Sequence, residues 1–381
     1  MSDPGKEVLR RAAQNKSRRF PDRNDPRYQG LLFPAVKPSF SIEPGSSVMT
    51  IGSCFARNVE RALALQGVDV PATRFSAAQD NLPGQPNRVL NQYNPGTMLQ
   101  AIRAVGNAAD FRGIVKTPSG YADLLLATGH HTVSLQRAKE RRRQILALYE
   151  DGLNRAQTVI ITLGMVECWY DEVHELWLND VYIGHLRTGA GRYTFHQLDV
   201  DRCTEIVSQI IDALGDKNVL LTVSPVPMNA TFTDVDCIIA NMYSKSTLRI
   251  CAERICRQYR NVDYFPSYEI VSAFGHPAFG PDNMHVRQSV IARVVGNMID
   301  HYVAPAVNQP KIVPMEEASA EPDVAARPSV HPYLEGRRRR FNLAKAAQWL
   351  KKRILRGRDR MISSGDQRTR LDKLPTSADE R

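Results

Sequence analysis

Four short runs of apolar residues, rich in β-branched side chains, punctuate the chain: Val48-Met-Thr-Ile51, Thr158-Val-Ile-Ile-Thr-Leu163, Asn218-Val-Leu-Leu-Thr-Val223 and the weaker Val262-Asp-Tyr-Phe265. Runs of this length bounded by turn residues read as strands buried on both faces. Apolar positions recur at helical spacing over Arg57–Leu65, Leu135–Leu153, Cys203–Leu214, Ala240–Tyr259 and Val286–His301. Strands alternating with amphipathic helices predict an α/β domain whose mostly parallel sheet is covered by helices on both faces. No internal repeat is present. Residues 170–195 are polar and aromatic without clear periodicity, and are read as an insertion over the sheet.

The flanks differ from this body. Residues 1–42 form a polar lead-in punctuated by Pro21, Pro26, Pro34 and Pro38, and the α/β domain is predicted over 43–302. Residues 303–336 turn to Pro, Ala, Glu and Ser and read as a flexible linker. Residues 337–360 read as a basic helix with a narrow apolar stripe of Leu343, Ala347, Leu350 and Ile354, and 361–381 as a disordered tail.

Composition sharpens this division. The net charge is +10, and 337–360 alone hold eleven Lys/Arg against one acid, so the body is close to neutral. The expected partner of that helix is an anionic membrane surface, which Trp349, Leu350, Ile354 and Leu355 suit better than they suit nucleic acid. No apolar run reaches the length of a membrane span and the N-terminus lacks the apolar core of a signal peptide, so the expected location is cytoplasmic, peripheral at the inner membrane surface. The six cysteines contain no CxxC pair, which argues against a disulfide framework or structural zinc. Adjacent His130 and His131 point apart on any regular element and have no carboxylate cluster nearby, so no metal site is predicted.

Candidate chemistry sits at the ends of strands, where parallel α/β sheets build their sites. After the first strand, Gly52-Ser53-Cys54-Phe55-Ala56 places a hydroxyl and a thiol side by side at a strand-to-helix turn. A helix N-terminus there stabilises a thiolate and offers backbone N–H groups to an oxyanion. As structure alone, Ser53 reads as an N-cap and Cys54 as a core residue. Late in the chain, Asp282-Asn-Met-His285 places a carboxylate where it can orient an imidazole, although an Asp there also serves as a helix cap.

Gly52-Ser53-Cys54-Phe55-Ala56 resembles, letter for letter, the motif of the GSCFA family. Further segments are similar to that family: Thr162-Leu163-Gly164 with Glu167 and Trp169, Val223-Ser224-Pro-Val-Pro227, Ser244-Lys245 and Phe265-Pro-Ser-Tyr-Glu269. The GSCFA family in turn resembles the SGNH (GDSL-like) hydrolases, which implies a flavodoxin-like three-layer α/β/α sandwich. The resemblance maps the superfamily nucleophile onto Cys54, its neighbouring Asp onto Ser53, and its DxxH block onto Asp282 and His285. One departure is plain: the Asn that helps hold the oxyanion in the GxND block falls on Val166, after Gly164. Backbone N–H groups at Cys54 and the side chain of Asn94 are the substitutes expected from the sequence. Glu167, Trp169, Ser224 and Lys245 are read as pocket candidates, each with a structural alternative. Trp169 is read first as covering the sheet, and Ser224 as part of a turn.

The resulting expectation is an esterase or O-acyltransferase. Cys54 (or Ser53) attacks an ester or thioester, His285 serves as base, Asp282 orients it, and no cofactor is required. An acyl-CoA or similar donor and a small-molecule or glycan acceptor, such as a cell-surface polysaccharide precursor, complete the picture. The alternative is a non-catalytic carbohydrate- or partner-binding module on the same fold.

Overall fold

The computed structural model describes residues 4–77, 80, 87–107, 110–128, 131–188 and 191–305. In chain order the elements are α1 (Gly5–Gln14), β1 (Val48–Gly52), α2 (Cys54–Leu65), α3 (Pro95–Arg103), β2 (Ile114–Thr117), β3 (Gly120–Asp123), α4 (Leu135–Arg155), β4 (Thr158–Leu163), β5 (Glu167–Asp171), β6 (Leu176–Leu178), α5 (Ile183–Thr188), β7 (Tyr193–Gln197), α6 (Val200–Leu214), β8 (Asn218–Val223), α7 (Cys237–Gln258), β9 (Val262–Tyr264), α8 (Ser267–Phe274) and α9 (Gln288–Tyr302). Short 3-10 turns at Pro71–Arg74, Arg88–Leu90 and His276–Ala278 fill the connections.

The four predicted apolar runs form one sheet, ordered β1-β4-β8-β9 and parallel throughout. Every residue of β1 and β4 is buried, which is why these strands read as unbroken apolar runs rather than as alternating ones. Helices α2, α8 and α9 pack together as one group, and α3, α4, α6 and α7 as another. With the sheet between them this is an α/β/α sandwich, as the alternation of elements predicts. The core is continuous through Val48, Ile51, Phe55, Val59, Ile160, Leu220, Leu248, Ile255 and Val294.

The termini of α9 fix its direction. Ile42 N–H donates to Tyr302 O at 2.7 Å, and Ala304 N–H donates to Ile42 O at 3.0 Å. Residue 42 leads into β1, so α9 ends at the starting edge of the strands and begins at their finishing edge. Helix α2 also begins there, directly after β1, and the two helices are neighbours. Their N-termini therefore share one end of the sheet.

Three findings go beyond the pattern analysis. Residues 167–197 are not an irregular insertion but hold a second, antiparallel sheet ordered β6-β5-β7. Its period is hard to see because β7 is half-buried along its length and β5 is buried at both ends, so neither sorts into an inner and an outer face. This sheet shares a small core with the β2–β3 hairpin, built on Val115, Leu124, Leu176 and Leu178. The lead-in, in turn, is not uniformly polar: Leu31, Phe33 and Ile42 join the main core. Among the described residues no helix is long and apolar enough to cross a membrane. The chain divides at Pro328, and the predicted basic helix over 337–360, the tail after it and nearly all of the predicted linker lie outside the described residues.

Candidate functional site

The turn after β1 is shaped by Gly52. Its φ is +150°, and a Cβ built on it would lie 2.5 Å from Thr162 O and 2.6 Å from Thr162 Cβ on the neighbouring β4. No side chain fits there, and β1 can close on β4 only with glycine. Gly52 O accepts from Gln92 N–H at 2.8 Å, which draws the 91–93 segment over the strand end. Ser53 then takes the N-cap position of α2 in extended conformation, and Cys54 is the first helical residue.

The two candidate nucleophiles differ in setting. Ser53 is 3% exposed, makes no capping bond, and its hydroxyl is buried without a partner among the described residues. Cys54 is half-buried and is a free thiol at the helix N-terminus, where the first N–H groups have no partner inside the helix. Burial pushes the Cys54 thiol up, against the pull of Lys245, Arg88 and Arg57. The Tyr93 hydroxyl also faces this group, itself raised chiefly by burial and further by Cys54. Arg57 is buried and pairs with Glu60 at 3.0 Å on the same helix, and Glu60 also accepts from Thr50 and from Asn87. Arg57, Arg88 and Tyr93 were not singled out in the sequence. Only Arg57 carried a signal, standing three residues after Cys54 on a predicted helix face.

Lys245 is the residue whose setting changes most from its sequence reading. It projects from α7, is 2% exposed, and donates to Gly164 O at 2.7 Å, just past the end of β4. Burial drives its amine down to about 7, while the nearby Cys54 pulls it back up. The hydroxyl of its neighbour Ser244 accepts from Val166 N–H at 3.0 Å. Val166 itself is fully buried and belongs to the core. Gly164 is as constrained as Gly52, since a Cβ would meet Tyr93 O at 2.5 Å. Ser224 is buried at the end of β8, with its N–H bonded to Leu163 O and its hydroxyl accepting from Val226 N–H, which makes it a turn residue.

Asp282 and His285 form the expected dyad. The Asp282 carboxylate bonds the His285 ring at Nδ1, and it also accepts from the N–H groups of Met284 and His285 at 3.0 Å each. Burial alone would raise this carboxyl, but the His285 side chain and the two N–H donors outweigh that and hold it down at about 2. Asn283, at φ +57°, makes the tight turn that brings the pair together. The dyad lies just before α9 and so at the same end of the sheet as Cys54, and no hydrogen bond joins His285 to Cys54.

Other sequence candidates hold structure. Asn94 caps α3, accepting from Thr97 N–H at 3.0 Å and donating to Leu178 O at 3.1 Å, so its amide ties α3 to β6 rather than facing an oxyanion. Glu167 accepts from Thr231 Oγ1 at 2.6 Å and Phe232 N–H at 2.9 Å, pinning the loop that follows β8. Trp169 packs at 5.3 Å against both Phe195, tilted, and Phe232, edge-on, in that same cover. A cleft of about 450 Å³ begins at Gln92 and is lined by Gln100, Arg142, Tyr149 and Trp177, without Cys54. Among the described residues no group of three or more His, Cys, Asp or Glu is placed to hold a metal ion.

An α/β/α sandwich with a thiol on the first helical turn after its first strand, and an Asp-His pair before its last helix, defines the class structurally. The chain belongs to the GSCFA family, whose model matches residues 47–298, a span containing both the Cys54 turn and the Asp282–His285 pair. No curated protein and no solved structure matches the chain.

Proposed function

We propose that this protein moves an acyl group through a thioester on Cys54, as an esterase or O-acyltransferase. The observation that carries the reading is the placement of a half-buried thiol at a helix N-terminus, beside the Lys245 amine and the Arg88 and Arg57 guanidiniums, on the same sheet edge as a hydrogen-bonded Asp-His dyad. In the proposed cycle the Cys54 thiolate attacks the carbonyl of an ester or thioester donor. The free N–H groups at the start of α2 receive the oxyanion, in place of the amide that Val166 and Asn94 do not provide. His285, held by Asp282 and open to solvent, protonates the leaving group and then activates an acceptor hydroxyl or water. Likeness to the SGNH hydrolases supports this division of roles.

The reading extends to partners as a proposal: an acyl-CoA or comparable donor, a glycan or small alcohol as acceptor, and an anionic membrane surface for 337–360. The second reading, a binding module without turnover, draws on the upward push that burial exerts on the thiol. Turnover of an activated aryl ester separates the two. Cys54→Ala should lose about three orders of magnitude in kcat and Ser53→Ala far less. Equal turnover by wild type and Cys54→Ala would contradict the proposal.

A further inference from the structure

A buried lysine without an acid beside it is costly, because desolvation penalises the ammonium form. Lys245 is such a residue: it forms no salt bridge among the described residues, and its one hydrogen bond goes to the neutral carbonyl of Gly164. A purely structural tie to a carbonyl does not need a titratable amine.

The register of the sheet places this amine beside the candidate nucleophile. Gly52 on β1 lies opposite Thr162 on β4, and adjacent strands run about 5 Å apart. Cys54 stands two residues beyond Gly52, and Gly164 stands two residues beyond Thr162. Ser53 N–H reaches across to Thr162 O at 3.4 Å, so the two chain segments are still neighbours where they leave the sheet. Lys245, bonded to Gly164 O, therefore crosses the strand ends beside the thiol. The charged and titratable groups facing the pair are Arg57 on α2, Arg88 and Tyr93 on the segment after it, and Asp180 beyond Tyr93. Among the charged neighbours acting on Cys54, Lys245 acts most strongly.

Resting on the acyl-transfer reading, we propose that Lys245, rather than His285, is the base that takes the proton from Cys54. Nζ and Sγ make no direct hydrogen bond at rest, and the proton passes through one bridging water, a route open to general bases. The neutral amine accepts the thiol proton and becomes an ammonium, while the thiolate forms the new S–C bond to the acyl carbon. The C–O or C–S bond of the donor breaks, and the leaving group takes its proton from His285. When the acceptor oxygen attacks the thioester, its proton goes to His285, the S–C bond breaks, and the released thiolate recovers its proton from the Lys245 ammonium. Two bases thus divide the work: a buried one for the thiol and an exposed one for the exchanging groups. Burial suits Lys245 to its part, since an amine held near neutral pH is free to accept a proton where an exposed lysine is not.

The test is site-resolved alkylation of the full-length chain by iodoacetamide across pH 5.5–9.5, read by peptide mass spectrometry, with activated aryl ester turnover measured alongside. Lys245→Met and Lys245→Gln should both move the Cys54 alkylation profile to higher pH. A displacement of about one pH unit or more slows alkylation at pH 7 at least about ten-fold. His285→Ala should slow ester turnover and leave that profile in place. If Lys245→Gln, which keeps a donor for Gly164 O, alkylates as wild type does, the lysine only pins the loop and the proposal fails. A profile moved by His285→Ala instead would assign the base to His285. In the wild type alone, Cys54 must react at lower pH than Cys256, a comparably exposed thiol whose charged neighbours are chiefly acidic, and the reverse order overturns the proposal even if neither variant folds. The underlying reading fails separately. Shifted alkylation with no ester acylating Cys54 would keep the Lys-Cys pair and reject acyl transfer. Equal acylation of wild type and Lys245→Gln would do the opposite.

Discussion

Lys245→Met should make the protein more stable than wild type at pH 7, although it deletes a hydrogen bond. In the folded chain burial lowers the amine from 10.5 to about 7. Lowering a pKa by one pH unit corresponds to about 1.4 kcal/mol, so keeping the amine buried costs the fold about 4–5 kcal/mol at neutral pH. Methionine fills similar volume without that cost, and is tolerated in irregular core sites. Against this gain, Gly164 O loses its donor, which costs about 1–3 kcal/mol. The balance is a gain of roughly 2 kcal/mol at pH 7. Its sign depends on pH. Between about 7 and 10 the unfolded chain binds a proton at this lysine that the folded chain does not, so this group makes wild-type stability rise with pH across that window. The variant lacks that rise. Above the unfolded lysine pKa it should be the less stable protein, by the lost hydrogen bond alone. Urea unfolding of both proteins at pH 7, 8.5 and 10 measures the difference directly. A difference that does not change with pH, or a wild type already more stable at pH 7, would refute the idea of a buried, readily neutralised amine.

Three further outcomes are expected. Gly52→Ala combines a positive φ with a Cβ 2.5 Å from Thr162 O, and should lower stability by about 2–5 kcal/mol while displacing Cys54; urea unfolding that shifts by less than about 1 kcal/mol would show that β1 and β4 can separate cheaply. Cys54 and Cys237 should alkylate ahead of buried Cys168, Cys203 and Cys251, because both reach solvent and the burial that raises Cys54 is opposed by Lys245, Arg88 and Arg57; peptide mapping after brief iodoacetamide exposure gives the order. Because Asp282 is held at about 2, it stays ionised across pH 5–9 and its bond to His285 persists there, and Asp282→Asn should lower kcat by about 10²–10⁴ without moving Cys54 alkylation.

The fold was legible because its signal is burial. The strands Thr158–Leu163 and Asn218–Val223 lie inside a sheet covered on both faces, so their apolar runs mark their own ends. The second sheet was not legible, since Tyr193–Gln197 is half-buried, Glu167–Asp171 buries its two ends, and their side chains sort by aromatic contact rather than by period. The candidate site was legible in the same uneven way. Ser53, Cys54, Asp282 and His285 are local patterns at element ends, readable from neighbouring letters. Lys245 comes from a helix nearly two hundred residues later, and only the folded chain shows its amine bonded to Gly164 O, just past the strand that neighbours β1. Asn94 misled because an amide before Pro95 suits both an oxyanion donor and a helix cap, and the cap is what forms.

The central claim is that Cys54 carries the acyl group, and trapping that group tests it most directly. The full-length protein mixed with p-nitrophenyl acetate and quenched in acid should gain a single acetyl mass. Peptide mapping should place it on Cys54, with none on Cys54→Ala and the adduct retained on Ser53→Ala. Transfer of that acetyl to an added alcohol, with recovery of the unmodified protein, would complete the cycle. A wild-type protein that gains no acetyl, or gains it on Ser53 or on a surface lysine while Cys54 stays free, would contradict the account.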